Sequence, residues 1–247
     1  LSHGWSLTHD TWYYQKKALA GKFRVIVWDI RGTGRSEAPD DWDYSMEAVA
    51  EDLAAVFDAT DAGRHPLGCV LIGHSVGAMI LPLFAQRFPQ RMARVRGLAL
   101  VGGTDTPILE AMWGHRRLVP MRPWFWEPLA RTMTRYPGPF EVFARLCRQM
   151  GCVHAALMFG THVGRESRGQ DDLLADRCAH FSMRAAGAGA LACFAFDARA
   201  AMESLTVPTL LLTGASDRNT PPDIQRAMAA RLRSPQLILI EKCGHLA

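Results

Sequence analysis

The strongest constraint on this sequence is the pentapeptide Gly-His-Ser-Val-Gly at residues 73–77. It follows an apolar run at residues 69–72 and precedes another at residues 78–81, which is the order of a strand, a tight turn and a helix. In such a turn the serine backbone is strained and the helix passes close to the strand, so only small residues fit on either side. The segment therefore predicts a nucleophile elbow in which Gly73 and Gly77 set the geometry and Ser75 is the reactive residue.

A serine hydroxyl needs two further groups before it becomes a good nucleophile. A histidine must take its proton, and a carboxylate must orient that histidine. After an elbow of this kind, the acid and then the histidine are expected in loops that follow later strands. Asp217 follows a strand predicted at residues 209–213, and His245 follows Gly244 after a strand predicted at residues 237–240. The sequence therefore predicts Ser75, Asp217 and His245 as a catalytic triad.

Attack by Ser75 on a carbonyl would create an oxyanion, which needs hydrogen-bond donors. Residues 1–5, Leu-Ser-His-Gly-Trp, resemble the end of a strand that runs into a loop. The backbone N–H of Trp5 in this loop is one predicted donor. The backbone N–H of Val76, directly after the nucleophile, is the other.

These segments, taken in order, resemble the α/β-hydrolase superfamily over nearly the whole chain. Within it, the chain is similar to the serine-nucleophile branch of small esterases and cofactor-free haloperoxidases, to which epoxide hydrolases are related. Epoxide hydrolases carry an aspartate in place of Ser75, so the serine favours acyl chemistry over alkyl-enzyme chemistry. The segments that carry the resemblance are His3-Gly4-Trp5, residues 29–36, residues 73–77, residues 214–217 with Pro221, and Gly244-His245.

Two other residues compete for roles in the predicted triad. Asp105 follows a strand predicted at residues 97–101, and some members of the superfamily take their acid from that position. The Gly214-x-x-Asp217 context is the more specific, so Asp217 is preferred. His74 adjoins the nucleophile, but neighbouring residues at an elbow point their side chains apart, which favours His245 as the base.

The resemblance implies an α/β fold with a mostly parallel sheet, helices on both faces and a helical cap inserted over the active site. Residues 107–200 interrupt the alternation of strands and helices and are rich in aromatic residues and methionine, so we predict that they form this cap. Residues 1–106 and 201–247 are the predicted core. The superfamily has two strands before the His-Gly loop and usually a helix after the catalytic histidine, and we expect the chain to lack these first strands and the last helix. Apolar runs predict strands at residues 23–28, 69–72, 97–101, 209–213 and 237–240.

Composition narrows the class of protein further. With 49% apolar residues, a chain of 247 residues can bury the core of one domain with an insertion. Its six cysteines show neither the paired spacing of a disulfide framework nor that of a zinc site. No apolar stretch approaches twenty residues and no signal peptide is visible, so we expect no stable membrane insertion and a cytoplasmic location. Aromatic residues and arginines do not interleave as in nucleic-acid binding, which predicts no nucleic-acid partner.

The residues and the resemblance together predict a serine esterase that cleaves a carboxylic ester through an acyl-enzyme intermediate, without a metal or an organic cofactor. Aromatic residues and methionines in the cap favour a small-molecule ester with an apolar acyl or alkyl group. The same triad would serve a C–C bond hydrolase, an acyltransferase or a perhydrolase. A non-catalytic ligand-binding protein of this fold is a further alternative, against which the presence of all three triad residues argues.

Overall fold

The fold is given by a computed structural model that describes residues 1–112, 115–150 and 180–246, together with residues 169, 172, 176 and 177. Within these residues four parallel strands form one sheet, in the order in which they follow one another along the chain. The predicted parallel sheet with intervening helices is confirmed. The strands are β1 (Cys69–His74), β2 (Val95–Val101), β3 (Thr209–Gly214) and β4 (Pro235–Ile240).

The strand predicted at residues 23–28 does not form. Trp28 makes an isolated parallel bridge to Ser2, which in turn bridges Gly73 of β1. A single bridging residue does not make a ladder, and Phe23 at the start of the segment is 63% exposed. The prediction is wrong for this segment because an apolar run becomes a strand only when a neighbouring strand pairs with it.

Helices fill the connections between the strands. The helix predicted from residue 45 begins where expected, because the Ser45 side chain accepts a hydrogen bond from the backbone N–H of Ala48 and so caps the first turn. None of the helices in the described part of the chain combines the length and low polarity that a membrane span requires. The α-helices of the described residues are α1 (Tyr13–Leu19), α2 (Met46–Ala59), α3 (Val76–Arg87), α4 (Pro89–Met92), α5 (Ile108–Ala111), α6 (His115–Met121), α7 (Glu127–Arg135), α8 (Pro137–Gln149), α9 (Met183–Ala195), α10 (Arg199–Glu203) and α11 (Pro222–Arg231).

The main core lies between the sheet and one layer of helices. Helix α3 packs against β1 and β2, α11 packs against β3 and β4, and α10 contacts both α3 and α11. The side chains of Phe84, Leu100 and Leu211, from α3, β2 and β3, are completely buried there. The opposite face of the sheet is less covered, since Val70 is 55% exposed and Ile238 is 39% exposed. The strand ends that carry the site are therefore anchored mainly through the helical layer.

A helical insertion is present around residues 115–147. Helix α9 packs along α7 and also contacts α5 and α8. Close packing with α7 is possible because a Cβ atom at Gly187 would lie only 2.5 Å from the carbonyl oxygen of Ala130. Parts of the predicted cap, residues 107–200, lie outside the described residues, and its bounds stay a prediction.

Gly77 provides a test of the packing around the elbow. A Cβ atom here would collide with the backbone carbonyl oxygen of Ser2, which cannot move without disturbing the bridge to β1. We expect Gly77→Ala to lower the free energy of unfolding by about 1–3 kcal/mol, as overpacking does. Urea unfolding followed by circular dichroism measures the change.

The matched control is Gly138→Ala in α8, where a Cβ atom would meet nothing within 4 Å. Alanine is the better helix former, so this variant should be as stable as the parent or slightly more stable. Equal stability of the two variants would contradict the proposed close contact at Gly77.

Candidate active site

Ser75 lies at the sharp turn between β1 and α3. Its φ angle is 52°, a left-handed conformation that residues other than glycine rarely adopt. The conformation is held by a hydrogen bond of 2.8 Å from the backbone N–H of Ser75 to the carbonyl oxygen of Val101 on β2. A Cβ atom at Gly73 would collide with the carbonyl oxygen of Gly77. The turn therefore has the strained serine and the obligatory small neighbours that the sequence predicts.

The three residues predicted as a triad lie together in the structure. His245 Nε2 is 3.1 Å from the Ser75 Oγ, and its Nδ1 is 2.8 Å from Asp217 Oδ2. Asp217 follows β3 and His245 follows β4, so the two loops lie side by side at the carboxyl ends of adjacent parallel strands. A Cβ atom at Gly102, after β2, would be 3.4 Å from the His245 ring, which leaves the imidazole closely enclosed.

The carboxylate of Asp217 is buried and accepts several hydrogen bonds besides that of His245. Its Oδ1 accepts the backbone N–H groups of Asn219 at 2.8 Å and Thr220 at 3.0 Å. Its Oδ2 accepts the hydroxyls of Thr220 at 2.9 Å and Thr213 at 3.2 Å. Burial raises the pKa of Asp217, but the charge and hydrogen bond of His245 and the hydrogen bonds of Thr220 outweigh the effect of burial. They hold the pKa of Asp217 well below its usual range. The carboxylate is therefore fixed in orientation and ionised.

Asp105, the competing acid, has a different partner. Its Oδ2 accepts a hydrogen bond of 3.0 Å from Arg231 of α11, and its side chain is almost completely buried. Burial raises the pKa of Asp105, an effect that the Arg231 charge opposes. The structure thus brings Asp217, and not Asp105, to the imidazole of His245.

The loop that carries the first predicted oxyanion donor passes beside Ser75. A Cβ atom at Gly4 would lie 3.1 Å from Ser75 Cβ. The loop is held by the buried His3, whose Nε2 accepts the backbone N–H of Ile30 at 3.0 Å and whose Nδ1 is 2.8 Å from the Gly4 carbonyl oxygen. The second predicted donor, Val76, is the first residue of α3, where a backbone N–H has no acceptor within the helix.

The side chain of Trp5 joins this loop to the insertion. Its ring makes edge-to-face contacts with Tyr44 at 5.4 Å and with Phe181 at 5.2 Å between ring centroids. It also lies so close to α9 that a Cβ atom at Gly189 would collide with it. Sequence reasoning predicted a role for the backbone of Trp5 but did not find this contact.

His74 is the other residue whose position sequence reasoning missed. Its side chain is buried against His245, with Nε2 2.8 Å from the carbonyl oxygen of His245 and 5.0 Å between the two ring centroids. Burial, assisted by the charge of His245, lowers the pKa of His74 to about 3. The only sequence signal for this contact was its place next to the nucleophile.

The described residues contain no group of three or more histidine, cysteine or acidic side chains arranged to hold a metal ion. Cys69, Cys147 and Cys193 are free thiols. Burial raises the pKa of the Cys193 thiol to about 12, which keeps it protonated and unreactive.

The lowered pKa of His74 predicts how stability depends on pH. A histidine in the unfolded chain gains a proton below a pKa of about 6.5, whereas His74 in the fold, facing His245, Asp217 and His3, stays neutral down to about pH 3. Below pH 6.5 the unfolded state therefore binds more protons than the folded state. The free energy of unfolding then falls by about 1.4 kcal/mol for each pH unit of acidification, down to about pH 3.

Urea unfolding of the wild type, His74→Gln and His115→Gln at pH 7.0, 5.5 and 4.5 tests this expectation. His74→Gln should lose less stability on acidification than the wild type, since glutamine does not titrate. His115 is exposed at the start of α6, so its variant should follow the wild type. Parallel slopes for all three proteins would contradict the lowered pKa of His74.

Comparison with known proteins identifies the family to which this chain belongs. Residues 1–247 match the α/β hydrolase fold family. A protein of Variovorax paradoxus (strain S110) with the provisional name carbamate hydrolase RutD is 30% identical over 260 residues, which cover 99% of this chain and 83% of the relative. The pimeloyl-[acyl-carrier protein] methyl ester esterase of Aeromonas hydrophila is 26% identical over 246 residues, which cover 99% of this chain and 87% of the relative.

A solved structure of an esterase is also similar to this chain. The thermophilic esterase of Thermogutta terrifontis, with malate bound, has a TM-score of 0.74 and 25% identity, over 99% of this chain and 81% of that chain. The sequence motifs, the parallel sheet and these relatives agree with one another. The chain therefore belongs to the α/β-hydrolase fold family and is a hydrolase of that fold.

Proposed function

We propose that the protein is a serine esterase that hydrolyses a carboxylic ester through an acyl-enzyme intermediate. The observation that carries the proposal is the continuous line of hydrogen bonds from Asp217 through His245 to the Ser75 hydroxyl. In this line the Asp217 carboxylate accepts a hydrogen bond from the Nδ1–H of His245, which keeps the proton on Nδ1. The unprotonated Nε2 then accepts the Ser75 hydroxyl proton, which is the arrangement that activates a serine.

Acylation begins when the Ser75 Oγ attacks the ester carbonyl carbon and its proton passes to His245 Nε2. Asp217 stabilises the imidazolium that forms, because it lies 2.8 Å from Nδ1 and stays ionised. The carbonyl oxygen becomes an oxyanion, which accepts hydrogen bonds from the backbone N–H groups of Val76 and Trp5. As the intermediate collapses, the ester C–O bond breaks and the leaving alcohol takes the proton from Nε2.

Deacylation repeats these steps with water in place of serine. Water attacks the acyl carbonyl carbon and gives a proton to His245 Nε2. The bond to Ser75 then breaks, the serine oxygen recovers the proton, and the carboxylic acid leaves. Every proton in the cycle passes through His245 Nε2, so the proposed steps need no metal ion or organic cofactor.

The substrate in this proposal is a small ester with an apolar acyl or alkyl group. Residues 107–200 act as a cap over the core formed by residues 1–106 and 201–247. The contact of Trp5 with α9 supports this division, because it puts part of the insertion beside the oxyanion loop. The name of the Aeromonas hydrophila relative, a methyl ester esterase, supports an ester as the substrate.

A carbamate is the second candidate substrate. The relative of Variovorax paradoxus, 30% identical over 99% of this chain, is named for carbamate hydrolysis. A carbamate carbonyl would be attacked by Ser75 in the same way, with a carbamoyl group in place of the acyl group. Comparison of kcat/KM for p-nitrophenyl acetate and a p-nitrophenyl carbamate distinguishes the two candidates.

Ser75→Ala tests the nucleophile. Loss of the Oγ removes the covalent route, so we expect kcat for p-nitrophenyl acetate to fall by several orders of magnitude, roughly 10⁴-fold or more. The exposed Ser234→Ala should retain wild-type kcat. Only Ser75→Ala should also resist labelling by a serine-directed phosphonate. Retention of more than a few per cent of the wild-type rate in a clean preparation would rule out Ser75.

Asp217→Asn and Asp105→Asn test the choice of acid. An amide at position 217 would favour the wrong tautomer of His245, and we expect kcat to fall by roughly 10⁴-fold. Asp105→Asn should keep most of the activity but lose stability, because it leaves the Arg231 charge without its buried partner. Initial rates and melting temperatures of both variants are the measurements. The reverse ranking of rates would assign the acid to Asp105.

A further inference from the structure

His74 is buried at the end of β1, where only 4% of its surface is exposed. Its backbone N–H donates to the carbonyl oxygen of Ser2 at 2.9 Å, which fixes its main chain within the sheet. Its side-chain Nε2 lies 2.8 Å from the carbonyl oxygen of His245. A carbonyl oxygen can only accept, so Nε2 carries the proton and donates it.

The other ring nitrogen of His74 has no comparable partner. Within the described residues, Nδ1 is buried without a hydrogen-bond partner. It faces Gly4, where a Cβ atom would lie 2.8 Å away. With Nδ1 unprotonated, the ring is neutral and its one donor is directed at the main chain of His245. A histidine that served only to fill space would need no hydrogen bond at either ring nitrogen.

The main chain around His245 is held through its carbonyl oxygens, since that of Cys243 accepts the Ser216 N–H at 2.9 Å and that of His245 accepts the bond from His74. His245 lies in the loop after β4, at residues 241–246, which contain neither helix nor strand. Its ring is held by Asp217 and Ser75, but both contacts act beyond two rotatable side-chain bonds. The bond from His74 acts on the backbone itself and starts from the residue next to Ser75. It therefore ties the nucleophile and the base to one rigid strand end.

We propose that His74 is a positioning residue that holds His245 within hydrogen-bond reach of Ser75 by donating to the His245 carbonyl oxygen. The inference rests on the proposed function, in which His245 is the base. His74 packs against the His245 ring, with 5.0 Å between the ring centroids, and acts on the reaction through His245. Its loss should therefore reduce proton transfer and leave substrate binding largely unchanged.

Three substitutions separate this role from simple packing. Glutamine at position 74 puts an amide nitrogen near the place of the histidine Nε2 and can donate to the same carbonyl. Asparagine has the same amide on a chain one methylene shorter and does not reach. Leucine fills a similar volume without a donor. We expect His74→Leu and His74→Asn to lower kcat by about 10²-fold, the cost of a misplacement near 1 Å, with KM changed less than about twofold.

His74→Gln should restore kcat to within about threefold of the wild type, because the hydrogen bond is regained. The rate of labelling by a serine-directed phosphonate should follow kcat across the series, since it also depends on His245 as the base. Melting temperatures are measured in parallel. If His74→Leu does not fold, the comparison of His74→Gln with His74→Asn gives the same decision.

The proposal is overturned if kcat follows the melting temperature without regard to the donor, or if leucine and glutamine give equal rates. Wild-type kcat in folded His74→Asn would also overturn it. Ser75→Ala, run in the same assay, keeps the two hypotheses apart. Activity in Ser75→Ala defeats the proposed function, whereas its inactivity together with full activity in His74→Leu defeats only the role of His74.

Discussion

The hydrogen bond from the Ser75 N–H to the carbonyl oxygen of Val101 is the interaction on which the site depends. It joins β1 to β2 at the residue where the chain leaves the sheet with a positive φ angle. Such a conformation costs about 1–3 kcal/mol and persists only when the surroundings fix it. The neighbouring backbone does so, because the chain is packed on both sides where Gly73 and Gly77 lie. The backbone of Ser75 is thereby fixed at the carboxyl end of β1, which holds the serine side chain in place.

Two buried aspartates, Asp217 and Asp105, differ in the partner that balances the charge of the carboxylate. Asp217 collects four hydrogen bonds from its own loop and strand and a fifth from His245, so its charge is balanced locally and directed at the imidazole. Asp105 is balanced by the guanidinium of Arg231, which ties the end of β2 to α11. The pairing with Arg231 takes up the carboxylate and joins two elements of the core. Position after a strand is therefore common to both residues, while the partner decides what each can do.

Much of this arrangement could be predicted from the sequence because the chemistry is linked to local patterns. A serine between two glycines after an apolar run specifies a turn, and a serine at residue 45 specifies where α2 begins. The loops of Asp217 and His245 follow strands that are readable as apolar runs. The segment at residues 23–28 has the same apolar pattern but makes only an isolated bridge to Ser2, so its conformation could not be read from that pattern. The contact of His74 with the carbonyl oxygen of His245 joins segments that are far apart in the sequence and meet only in the folded chain.

The ring of Trp5 occupies the space into which any side chain at position 189 would extend. The loop of Trp5 and helix α9 are thus parts of one packed unit. In evolutionary terms, an exchange of α9 for the equivalent helix of a relative would need a compatible pair at positions 5 and 189. Changes in this helix and in the loop beside Ser75 would then have to occur together along a lineage.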